Sequence, residues 1–114
     1  MDTKKYLDYE EALKRLGGKE KLYVRLLQQF LDSGYCEKLE GLFLAGDLEN
    51  FSAEAHSVKG ASSNLSLKEI YSYCAKFELN VKNGVDSTKD MSEFKQIYKE
   101  TEKAVVDYIA ERND

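Results

Sequence analysis

The chain has 114 residues and a formal net charge of −4, with 42% hydrophobic and 33% charged residues. This length suits one domain with one core, and the composition is that of a globular rather than a disordered chain. Lysines and acids are interspersed without a basic stripe, so we expect no nucleic-acid partner. No apolar run reaches the roughly 18 to 20 residues that span a bilayer, and the charged start MDTKK lacks a signal-peptide core. We therefore expect a cytoplasmic protein without direct membrane insertion.

The chain contains no proline, so glycines and polar clusters must mark the ends of its helices. The pattern predicts a short first helix that Asp8 caps, with Glu11 at the capping-box position and Gly17-Gly18 at its end. A second helix is predicted from about Lys19 to Leu31, and a third from about Tyr35 to Ala45.

A fourth helix should follow the capping residue Asp47, because apolar and small residues recur there at alternating spacings of three and four. The stripe that they form consists of Leu48, Phe51, Ala55, Val58, Ser62 and Leu65. His56, the only histidine, points about 130° away from the middle of this stripe at 100° per residue. Its imidazole is therefore predicted to reach solvent.

The remaining two helices are predicted from caps and periodicity. Ser66 and Glu69 fit the S-x-x-E capping box of a fifth helix, and Asn64 could then supply any left-handed residue that the turn requires. A loop over residues 82–89 should precede a long last helix, whose end at residues 111–114 is predicted to fray.

No segment alternates apolar and polar residues for long enough to form a sheet, so the predicted class is all-α. We expect an antiparallel four-helix bundle with additional short N-terminal helices, spanning residues 1–114 as a single domain. Cys36 and Cys74 fall at apolar positions without a C-x-x-C pattern and are interpreted as buried thiols, although the sequence leaves a disulfide open.

The residues around His56 indicate chemistry at an exposed ring. Ser52, Lys59 and Gly60 lie one turn away and Ser63 two turns away, and all but the lysine are small. Glycine inside a helix costs about 1 kcal/mol relative to alanine, which is explained if another surface approaches the imidazole closely there. Lys59 could hold an anion beside the ring. The pattern favours a nucleophile that accepts a phosphoryl group from a bulky donor, whereas a lone histidine can also be merely solvated or structural.

The run AHSVKGAS at residues 55–62, followed by Asn64-Leu65, resembles the signature of histidine-containing phosphotransfer (HPt) domains. Further runs similar to the family pattern are Tyr9–Leu13 with Gly17-Gly18, Leu26-Leu27 with Phe30, Ala45–Asp47, and Cys74 with Phe77-Glu78. Ser66 departs from the pattern, since the family usually has glycine there.

This resemblance implies a helical bundle that relays phosphate in two-component signalling. His56 would accept a phosphoryl group and exchange it with an aspartate of a response-regulator receiver domain, and a histidine kinase is the other expected partner. The chain would need no cofactor, since Mg²⁺ is expected on the receiver. Lys59 would stabilise the phosphoryl charge, and Glu78 would orient the imidazole through Nδ1 unless it is a solvated helix glutamate. Close partner approach is assigned to Gly60, Ser52 and Ser63.

Other functions find less support in the sequence. No glycine-rich phosphate loop is present, so the chain is interpreted as a phosphotransfer intermediate without independent catalytic activity. One histidine cannot supply H-E-x-x-H or paired E-x-x-H motifs, so no metal site is predicted. A Ser-His-acid triad is left open by composition but lacks a nucleophile elbow. The main alternative is a helical interaction module that binds a signalling partner without carrying phosphate. A monomer is expected, and Tyr6, Tyr71 and Tyr73 indicate no site.

Overall fold

A computed structural model describes residues 3–112, which form six α-helices without a strand. The helices are α1 (Tyr9–Arg15), α2 (Glu20–Leu31), α3 (Tyr35–Leu44), α4 (Leu48–Leu65), α5 (Lys68–Asn83) and α6 (Thr88–Arg112). The predicted all-α class is confirmed. None of the helices in this part of the chain is long and apolar enough to span a membrane.

The predicted boundaries hold to within one or two residues except at the last loop. α5 continues to Asn83 and α6 already begins at Thr88, so the connection is shorter than the predicted loop over residues 82–89. Gly84, with φ of 66°, ends α5 in the left-handed conformation. At the other end of α6, Glu111 and Arg112 are helical, and residues 113 and 114 of the predicted frayed end lie outside the described residues.

Four helices close a ring: α3 packs on α4, α4 on α5, α5 on α6, and α6 on α3. α2 also contacts both α4 and α6, and α1 contacts α2 and α4. A chain of aromatic contacts with ring centroids 5.1 to 5.7 Å apart runs through the core. In order of contact it comprises Phe43, Phe51, Phe77, Phe94, Tyr98, Phe30 and Tyr35. This core holds α4 and α5 side by side.

The predicted apolar stripe of α4 is buried in five of its six positions. Leu48 is the exception, because it is the first residue of α4 beside the α3–α4 turn and remains 48% exposed. Both cysteines are free thiols. Cys74 is buried as predicted, and burial raises its pKa to about 12, but Cys36 is only half-buried.

The predicted capping role of Ser66 is wrong. Ser66 ends α4 with φ of 58°, and it is the only described residue other than glycine with positive φ, so Asn64 is not the left-handed residue. The physical reason is that the reversal between α4 and α5 places its left-handed residue at position 66, where glycine would be unstrained. Leu67 then occupies the N-cap of α5, without a side-chain capping bond.

Ser66 is instead held by α1. Its Oγ donates to Oε1 of Glu11 at 2.8 Å and accepts from Nη2 of Arg15 at 3.1 Å. Arg15 also donates through Nη1 to the carbonyls of Ser63 and Asn64, at 2.8 and 2.7 Å. These bonds satisfy carbonyls that the end of an α-helix otherwise leaves without partners. They fix the C-terminal end of α4.

The start of α1 is only partly as predicted. Asp8 caps the helix by accepting from the backbone N–H of Glu11 at 3.2 Å. The reciprocal half of the capping box is not formed, because the backbone N–H of Asp8 donates to the carbonyl of Ser66 at 3.0 Å. Lys68 pairs with the carboxylates of both Asp8 and Glu11, at 3.3 and 3.2 Å. α1 therefore binds the α4–α5 turn rather than closing on itself.

Candidate functional site

The side chain of His56 projects from the outer face of α4 and is 71% exposed. Ala55 and Val58, one residue before His56 and two residues after it, are fully buried, so the register of α4 turns the imidazole outward. Only Ser66 and Leu67 separate α4 from α5, so the two helices run antiparallel in contact. This arrangement brings Glu78 of α5 opposite His56.

Glu78 contacts two side chains of α4 through its two carboxylate oxygens. Oε2 lies 3.0 Å from Nδ1 of His56, and Oε1 lies 2.7 Å from Nζ of Lys59 in an ion pair. Glu78 and Lys59 are each about three-quarters buried, whereas the ring is mostly open to solvent. The carboxylate is therefore a fixed link between the imidazole and the ammonium group.

Electrostatics keep this carboxylate ionised. Partial burial opposes the charge on Glu78, but Lys59 and His56 together outweigh it and lower the pKa of Glu78. The ion pair with Glu78 is also the main reason that the pKa of Lys59 is raised. An ionised carboxylate can only accept hydrogen bonds. In the neutral ring, Nδ1 must therefore carry the proton and donate a hydrogen bond to Glu78. The lone pair of the neutral imidazole is then on Nε2.

The remaining predicted site residues lie on the same helix. Gly60 is exposed, and a Cβ placed on it would meet nothing within 4 Å, so its neighbours in the fold do not require a glycine. Ser52 is half-buried and Ser63 is exposed, four residues before and seven residues after His56. Ser52 and Gly60 lie one turn from His56 on the helix surface, and Ser63 lies two turns from it. Their contribution to partner approach stays a prediction.

One feature was missed from the sequence. A cavity of about 320 Å³ lies between the end of α4, the start of α5 and α1, and we call it the Tyr71 cavity. Its lining includes Glu11, Arg15, Ser63, Lys68, Tyr71 and Ser72. The helical repeat offered a signal, since Tyr71 precedes Glu78 by seven residues and so lies on nearly the same face of α5. The contribution of α1 could not be found in this way, because Arg15 is 48 residues from Ser63.

The described residues contain no cluster of three or more His, Cys, Asp or Glu side chains arranged to hold a metal ion. The groups that the fold brings together are thus one imidazole, one carboxylate and one ammonium. An outward nitrogen lone pair on a ring fixed at its other nitrogen is the arrangement of a nucleophile.

Comparison with known proteins assigns the chain to a family. The family model described as Hpt domain matches residues 25–104, which include the whole of α4 and α5. No curated protein and no solved structure matches the chain. Because the family match covers well over half of the chain, the chain belongs to the Hpt domain family, the helical phosphorelay domains of two-component signalling.

Proposed function

We propose that this domain accepts a phosphoryl group on Nε2 of His56 and transfers it to or from an aspartate of a response-regulator receiver domain. The observation that carries the proposal is the contact between Nδ1 of His56 and the Glu78 carboxylate, in a side chain that is 71% exposed. The contact leaves the reactive nitrogen outward and holds the ring at its other nitrogen. A histidine kinase is an alternative donor.

The proposed transfer is a displacement at phosphorus. The Nε2 lone pair of His56 forms a bond to the phosphorus of an aspartyl phosphate, and the bond from phosphorus to the aspartyl oxygen breaks. The released carboxylate keeps the electron pair of that bond. The phosphorylated ring keeps its proton on Nδ1, where Glu78 accepts the hydrogen bond and stabilises the positive charge that develops on the imidazole. The reverse step returns the phosphoryl group to an aspartate.

Lys59 and the receiver would share the charge of the phosphoryl oxygens. The ammonium group is one helical turn from His56, and its flexible chain can turn from Glu78 toward the phosphoryl group. Mg²⁺ would be held by the receiver, which would also supply the remaining catalytic groups. On this proposal the domain is a phosphotransfer intermediate and needs no cofactor of its own.

Gly60, Ser52 and Ser63 would allow the partner to come close. In-line attack requires the phosphorus to approach Nε2 to about 3 to 3.5 Å, so the receiver surface must lie almost on the helix. Gly60 has open space in place of a side chain, which supports this role.

The test uses a small phosphodonor and a protein donor in parallel. The domain is incubated with phosphoramidate, and separately with receiver domains phosphorylated by acetyl phosphate in buffer that contains Mg²⁺. We expect acid-labile, alkali-stable phosphate on the wild type and none on His56→Gln. Label that persists in His56→Gln would overturn the assignment of the acceptor. Stable binding of a receiver without any labelling would favour the interaction module.

The monomeric state and the cytoplasmic location stay predictions. Sedimentation equilibrium of the purified domain and fractionation of cells that express it would test them.

A further inference from the structure

The Tyr71 cavity lies on the same side of the α4–α5 pair as the proposed phosphoacceptor. His56 contacts Glu78 at one level of the pair. Ser63 lies seven residues after His56 on α4, and Tyr71 lies seven residues before Glu78 on α5. Ser63 and Tyr71 both line the cavity. Seven residues are about two helical turns, or about 10 Å. The cavity therefore lies on the same surface as His56, two helical turns further along the helix pair.

A partner protein that reaches His56 must also cover the Tyr71 cavity. A protein interface of standard size buries about 800 Å² on each partner, which corresponds to a disc of about 16 Å radius. Even a small transient interface of about 600 Å² per partner has a radius of about 14 Å. A partner centred on Nε2 of His56 therefore extends over the Tyr71 cavity.

The charges in the cavity are already paired within the chain. Arg15 donates to Glu11, to Ser66 and to two backbone carbonyls, and Lys68 pairs with Asp8 and Glu11. These cations are thus not available to bind a free anion. What the cavity offers is Tyr71, a residue that is 42% exposed, beside the exposed residues Ser63 and Ser72.

We propose that the Tyr71 cavity is a docking and specificity element for the receiver domain that exchanges phosphate with His56. The proposal rests on the proposed function and deepens it by naming the surface that selects the partner. Tyr71 is the anchor, because tyrosine is enriched among the few side chains that carry most of the binding energy of an interface, and Tyr71 is partly exposed in a concave site. The matching receiver surface places an apolar side chain against the ring and neutral hydrogen-bonding groups opposite Ser63 and Ser72. Tyr71 takes no part in the chemical step.

The experiment separates docking from chemistry. The domain is phosphorylated on His56 with phosphoramidate, freed of the reagent and mixed with each member of a panel of purified receiver domains. The receiver that removes the phosphate fastest is then titrated against wild type, Tyr71→Ala and Tyr71→Phe. Val106→Ala is the control, because Val106 is an exposed apolar residue of α6. Ser72→Leu, which fills the cavity while keeping Tyr71, is a second independent variant.

For Tyr71→Ala and Ser72→Leu we expect the half-saturating receiver concentration to rise at least about tenfold at an unchanged maximal rate. Tyr71→Phe and Val106→Ala should stay within about twofold of wild type, since the ring supplies the contact. Labelling by phosphoramidate should be equal in all five proteins. A half-saturating receiver concentration in Tyr71→Ala equal to that of wild type would overturn the docking role. A loss of phosphoramidate labelling in Tyr71→Ala as large as its loss of transfer to the receiver would overturn it too.

Failure of the proposed function gives a different result. In that case phosphoramidate does not label His56 in the wild type, or no receiver removes the phosphate. If only the docking proposal is wrong, phosphoramidate still labels the wild type and a receiver still removes the phosphate.

Discussion

Lys59 and Glu78 form an ion pair at 2.7 Å, so the ammonium group is bound to a carboxylate before any phosphoryl group arrives. The same carboxylate contacts His56 through its other oxygen. A phosphoryl group on the ring would compete with Glu78 for the ammonium group. Lys59 would therefore couple phosphorylation of the imidazole to the position of the Glu78 carboxylate.

Replacing Glu78 should disturb the tautomer of His56. In Glu78→Gln the carboxamide can either accept from Nδ1–H or donate to Nδ1, and the second arrangement moves the ring proton to Nε2. We expect a mixed tautomer in ¹⁵N-detected ring spectra and labelling by phosphoramidate slowed about tenfold or more. A wild-type spectrum together with a wild-type rate would contradict the orienting role.

Removing Lys59 should slow transfer without unfolding the domain. In Lys59→Ala the phosphoryl charge loses its nearby cation, so we expect transfer to a receiver to fall about tenfold. The domain should stay folded, but its urea midpoint should fall more than that of Lys95→Ala, because Lys59→Ala leaves the buried Oε1 of Glu78 without its partner. Lys95→Ala is the matched control, since Lys95 also forms an interhelical ion pair, with Glu40 between α6 and α3. Equal transfer rates in the two variants would contradict the assignment.

Two helical glycines allow a matched test of close approach. Gly60 in α4 and Gly41 in α3 both have open space where a Cβ would lie. Alanine at either position should stabilise the protein by up to about 1 kcal/mol in urea unfolding, because alanine is the better helix former. Only Gly60→Ala should raise the receiver concentration needed for half-maximal transfer. The same transfer kinetics in both variants would show that no partner approaches Gly60.

The stabilisation by Glu78 should depend on pH with a defined sign. Its pKa is lowered from 4.5 in the folded protein, so the stabilisation is fully present above about pH 4.5 and is lost as the pH falls through the lower, folded pKa. The difference in unfolding free energy between wild type and Glu78→Gln should be largest at neutral pH and shrink at pH 3. Urea titrations at both pH values measure this difference. The contributions of Asp8 and Glu11 to the pH dependence cancel in it, because both proteins contain these residues. A difference that does not change with pH would contradict this expectation.

Ser66 should be more sensitive to alanine than to glycine. Ser66→Ala loses the contacts with Glu11 and Arg15 and keeps an unfavourable left-handed backbone, so we expect a loss of about 1 to 2 kcal/mol. Ser66→Gly loses the same contacts but relieves the backbone, and it should be nearer to wild type. Urea unfolding of the three proteins measures the order. A Ser66→Ala protein as stable as Ser66→Gly would argue against backbone strain at this position.

The sequence predicted the register of α4 well because burial repeats with the helix. Ala55, Val58 and Leu65 are buried, and the outward position of His56 follows from them. The exposure of Leu48 could not be predicted in this way, since it depends on where the neighbouring helices end.

The turn and the long-range contacts were harder to predict. Ser66 and Asn64 are both polar and close together, and only the path of the chain into α5 decides which of them takes the left-handed conformation. Arg15 reaches carbonyls about 50 residues away, which no local pattern specifies. The family resemblance directed attention to Glu78 but not to Tyr71, for which the seven-residue spacing from Glu78 was the only signal.

The two-residue connection between α4 and α5 has a consequence for folding and for engineering. The imidazole and its carboxylate are only 22 positions apart on one helical hairpin, so a small loop closure suffices to bring them together. The imidazole and the carboxylate can then come together early, through contacts of low contact order. Transplanting residues 48–83 into another helical scaffold that covers their apolar faces should therefore carry the reactive pair with them.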